Sequence, residues 1–114
     1  MAFGRKKDPI VELERERNEL VARRDVLEQK FDRAHAALAA ATNERRTSLL
    51  DADLDDATAA TRRDAVVRDA RDRVEAIGDA LQEIERKIAD ATTRLAELRT
   101  AAEQSENARE IASV

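Results

Sequence analysis

The sequence predicts an all-α fold, an elongated antiparallel two-helix hairpin of coiled-coil type that is expected to dimerise. Three observations lead there. Ala70, Val74, Ile77, Leu81, Ile84, Ile88, Ala91, Leu95, Leu98 and Ala102 recur alternately four and three residues apart. That mean period of ~3.5 holds a narrow apolar seam against a second helix. A shorter seam precedes it, with Ile10, Arg17, Arg24, Phe31 and Leu38 in one row and Leu13, Leu20, Leu27, Ala34 and Ala41 in the other. Finally, 40% of the 114 residues are charged and 2% are aromatic, with two glycines and one proline. So few aromatic rings argue against an ordinary compact core. The regular spacing of Leu and Ile argues equally against disorder.

Residues 1–7 read as a flexible basic tail ending in Arg5, Lys6 and Lys7. Helix 1 should run over about 9–50. Asp8 is placed to accept from the first free N–H groups, and Pro9 at the first helical position forfeits no hydrogen bond. Between Thr42 and Thr61 the two seams fail to join smoothly. The aspartate-rich stretch at about 50–55 is the favoured turn, with Asp53 as the cap of the next helix. A break at Thr42-Asn43, or one uninterrupted helix, are the alternatives. Helix 2 should run over about 54–109, and residues 111–114 should fray, so that 8–110 forms the hairpin. Asp64–Arg68, Asp69–Arg73, Glu83–Lys87 and Asp90–Arg94 are acid-to-base pairs four apart that suit a solvated face. By the ~1.5 Å rise per residue, the long arm should approach roughly 80 Å.

The residues expected to pair the helices are Ile10, Leu13, Leu20, Leu27, Phe31, Leu38, Val67, Val74, Ile77, Leu81, Ile84, Ile88, Leu95 and Leu98. Arg17 and Arg24 favour antiparallel packing. In a parallel homodimer each would face its own copy, whereas opposite an apolar residue the stem lies along the seam and the guanidinium reaches water. Two registers are open. One sets Leu13 against Ile88, Leu20 against Leu81 and Phe31 against Ala70, leaving Leu95, Leu98 and Ala102 projecting as a docking edge. The other, one heptad on, sets Leu13 against Leu95, Leu20 against Ile88 and Phe31 against Ile77. Set against the entropy of ordering so long a chain, this apolar burial leaves a thin margin, and a second chain is expected to help.

Composition narrows the function classes. The net charge of −4 gives no global pull toward nucleic acid. The chain has no cysteine, which fits a reducing, cytoplasmic setting. No apolar stretch approaches the ~18 residues of a membrane span. The abundance of Arg, Ala and Asp fits a GC-rich bacterial or phage genome. Asp51, Asp53 and Asp55 occupy the first ligand positions of a calcium loop. However, Asp56 stands where the loop needs Gly and Arg62 where it needs Glu. His35 is the only histidine, too few ligands for a bundle metal site. With no phosphate loop and no nucleophile–base set, neither enzymatic activity nor a cofactor or metal is expected.

The leading expectation is therefore a non-catalytic structural or assembly module: an oligomeriser, spacer or scaffold-type adaptor that meets protein partners through helix pairing, with a phage or prophage type as one form. The alternative is a regulator bound to nucleic acid or an anionic surface through Arg5, Lys6 and Lys7 and an arginine-rich tip of Arg45, Arg46, Arg62 and Arg63. A third is a hairpin chaperone that holds clients with Leu49, Leu50 and Leu54.

Overall fold

The computed structural model describes residues 8–51 and 56–112. They form α1 (Pro9–Asp51) and α2 (Ala57–Ala112). Among the described residues only Asp8 and Asp56 lie outside a helix, and there is no strand. The two helices pack against each other as an antiparallel hairpin.

Both helix starts follow from their caps. Asp8 Oδ1 accepts from the Ile10 N–H at 2.9 Å, and the Asp8 carbonyl accepts from the Glu12 N–H at 3.0 Å. Pro9 follows at the first helical position, where a missing N–H costs nothing. At α2, Asp56 Oδ1 accepts from the Ala59 N–H at 3.0 Å and its carbonyl from the Ala60 N–H at 3.1 Å. Asp56 is therefore the cap of the described helix. The expected cap, Asp53, and the expected start at Leu54 lie outside the described residues, as does the tail 1–7. The other end of α2 runs past Arg109 to Ala112. Good helix formers keep it helical where no seam supports it.

By its contacts the chain divides into two units, residues up to Arg24 with Ile84 onward, and Asp25–Glu83. In the first, Leu13, Ala91 and Leu95 are buried together, with Ile10 and Leu98 packed against them. This is the register that sets Leu13 against Leu95. It corrects the expectation of a projecting edge, for Leu95 is 1% exposed and Leu98 is half-buried. The physical reason is coverage. Shifting back one heptad would return two leucines to water, at ~1.5–3 kcal/mol each. Ala102, by contrast, is exposed.

In the second unit Ala34, Ala41 and Val67 are buried. Small residues at these heptad positions let the helices approach closely. Phe31 finds room opposite Gly78, where a β-carbon would stand 3.4 Å from the ring's Cε2. The ring's other neighbour is His35, edge-on with centroids 4.5 Å apart.

Candidate protein-interaction surface

The heptad pattern turns every expected pairing residue inward. Leu13, Val67, Ile84 and Leu95 are buried. Ile10, Leu20, Leu27, Phe31, Leu38, Val74, Ile77, Leu81, Ile88 and Leu98 are half-buried. The pairing they make is within one chain. Arg17 and Arg24 sit half-buried at seam positions. Arg24 Nε reaches Glu85 at 3.6 Å, as a stem lying along the seam with its head in water requires.

Ion pairs cross between the helices in each unit. Arg99 donates to Glu14 at 3.1 Å in the first unit, and Arg45 meets Asp64 at 3.8 Å in the second. Each unit also carries open clefts. In the first unit one cleft is lined by Leu13, Glu16, Leu20, Lys87, Asp90, Ala91 and Arg94. In the second, one is lined by Lys30, Arg33, Ala34, Ala37 and Arg73, another by Ala41, Glu44, Arg62, Arg63 and Val66.

The four arginines that the sequence grouped at one tip all belong to the second unit. Arg45 is half-buried and engaged by Asp64, Arg62 and Arg63 line a cleft with Glu44, and Arg46 is exposed. Arg5, Lys6 and Lys7 lie outside the described residues. Two of the expected helical pairs rearrange. Asp64 takes Arg45, and Asp69 takes Arg68 at 3.8 Å. A pair four apart on a solvated face contributes only a few tenths of a kcal/mol, so any nearby competitor displaces it. Arg73 is left to line the cleft with Lys30 and Arg33. Among the described residues, none of these three has an ion-pair partner.

That trio was not among the expected contact residues, although the sequence carries a signal for it. Lys30 and Arg33 are three apart on α1, and no acid stands three or four residues from either. Like charges at that spacing repel and gain nothing from their own helix. The outer surface also exposes large apolar side chains, among them the adjacent Leu49 and Leu50, and Val66. Leu54 lies outside the described residues. Among the described residues, no helix is long and apolar enough to cross a membrane, and no cluster of three or more His, Asp or Glu side chains is placed to hold a metal ion. Compared with protein-family models, curated proteins and solved structures, the chain has no match.

Proposed function

We propose that the chain is a non-catalytic structural or assembly module, a preformed helical hairpin that meets protein partners, a second copy included, through its outer faces and grooves. The observation that carries this reading is that the seam from Ile10 to Leu98 is buried or half-buried within one chain. With the seam occupied, what the hairpin offers a partner is its charged flanks and the clefts beside them. A helical pair held by continuous heptads also keeps its outer residues at fixed spacings, as a spacer or scaffold needs. The proposal includes a cytoplasmic setting, in keeping with the cysteine-free composition.

Light scattering and sedimentation over a wide concentration range test the self-associating form of this reading. Masses above the 12.7 kDa of one chain are expected. A monomer at every concentration overturns dimerisation. Cross-linking through cysteines introduced at Leu13 and Leu95 then shows whether the hairpin persists in the assembly.

A second reading, binding to nucleic acid or another polyanion, draws support from the clefts lined by Lys30, Arg33 and Arg73 and by Arg62 and Arg63. Against it stand the net charge of −4 and the scarcity of aromatic side chains for base stacking. Retention of DNA, RNA or anionic vesicles at moderate salt, lost on deletion of residues 1–7, would favour it over assembly.

A further inference from the structure

We propose that the basic groove of the second unit is the seat for the acidic C-terminal end of α2 from a second copy of this chain. The inference rests on the assembly reading and names its surface and its occupant.

The groove has a definite chemistry. Ala34 and Ala37 line one of its clefts and Ala41 the other, and the three follow one another at helical spacings of three and four along one side of α1. Lys30, Arg33, Arg73, Arg62 and Arg63 line the same clefts, against Glu44 alone among acids. Val66 adds an apolar spot that is 55% exposed. A row of alanines admits a helix closely, and a cationic rim selects an acidic one. From Lys30 to Glu44 the groove runs about 21 Å along α1 at the ~1.5 Å rise per residue.

The occupant is the one stretch of helix that the seam leaves unused. Residues 101–112 are helical and exposed throughout, a length of about 18 Å. Glu103, Glu106 and Glu110 fall three and then four residues apart, so their side chains share one face. Ile111 flanks that face and is 78% exposed. Length, sign of charge and an apolar spot on each side therefore match. A phosphate polymer would use the cations but not the alanines, Val66 or Ile111, and the net charge would repel it at a distance. Because groove and occupant are different surfaces, the contact either closes reciprocally into a dimer or continues from copy to copy.

The test is a charge swap on the full chain. In one variant Lys30, Arg33 and Arg73 become Glu, and in the other Glu103, Glu106 and Glu110 become Lys. Sedimentation of each alone, and of their equimolar mixture, is compared with wild type at low and at high salt. Circular dichroism confirms that both variants keep their helix content. The expected result is self-association of wild type that weakens about tenfold or more on raising salt and in each variant alone, and that returns in the mixture. Because the clefts are open, both variants should stay folded; a third chain ending at Thr100 should also lose association. Wild-type association that survives all three changes overturns this groove while leaving assembly intact. A wild type that is monomeric throughout overturns this groove and self-association together. Groove-dependent binding of RNA or DNA by a monomeric chain overturns the proposal in favour of a polyanion.

Discussion

Gly78 lies against the aromatic ring of Phe31, so close that a β-carbon added at position 78 would stand 3.4 Å from Cε2. That distance is ordinary contact, and it decides the sign of a substitution. Gly78→Ala should raise stability by about 0.5–1 kcal/mol, because alanine removes the glycine penalty of a helix interior without displacing the ring. Gly78→Leu should lower it by about 1–3 kcal/mol through overpacking. Urea unfolding followed by circular dichroism measures both.

The burial of the seam is uneven enough to give sharp contrasts. Leu95 is 1% exposed and Leu50 is 79% exposed. Leu95→Ala should therefore cost about 2–5 kcal/mol. The same change at Leu50 should stay within about 0.5 kcal/mol. Equal losses in thermal unfolding would contradict the placement of Leu95 against Leu13.

Asp56 and Asp8 each cap a helix through a side-chain oxygen and a backbone N–H. Replacing either by alanine should cost about 0.5–2 kcal/mol, while asparagine should keep most of the stability. Hydrogen exchange would localise the loss: in Asp56→Ala the amides of Ala59 and Ala60 should exchange faster than in wild type.

Arg24 and Glu85 meet at 3.6 Å with side chains 28% and 51% exposed. A double-mutant cycle should assign the pair no more than about 1 kcal/mol, shrinking further in concentrated salt. Arg24→Leu should instead gain about 1 kcal/mol, since an apolar side chain suits a seam position better than an aliphatic stem with a charged head. The gain should come with weaker control over helix orientation. A labelled chain that mixes with its copies as a parallel pair would reveal it.

The pairing residues could be read from the sequence because their spacing is itself the geometry of two packed helices. From Ile10 to Leu98 no expected pairing residue turned outward. The register could not be read in the same way. Both candidate alignments satisfy the spacing, and they part only in whether Leu95 and Leu98 find cover at the start of α1. Two of the acid–base pairs of α2, Asp64–Arg68 and Asp69–Arg73, were misleading because such pairs are weak. Asp64 had Arg45 within reach across the seam, and Asp69 turned to its immediate neighbour Arg68. The cleft of Lys30, Arg33 and Arg73 depends on Arg73 coming from the other helix, so only its α1 half was visible before folding. Its visible sign was two cations without acids at helical spacing.

The seam changes character along its length. Leu13, Ile84 and Leu95 are among its buried residues in the first unit. In the second, the buried residues are Ala34, Ala41 and Val67, and Arg45 holds a half-buried position beyond them. Small and charged side chains there give up less surface per turn when the helices part. Under heat or denaturant the helix pairing of the second unit should therefore part before that of the first. A protease should accordingly cut within the paired helices of the second unit before it cuts those of the first.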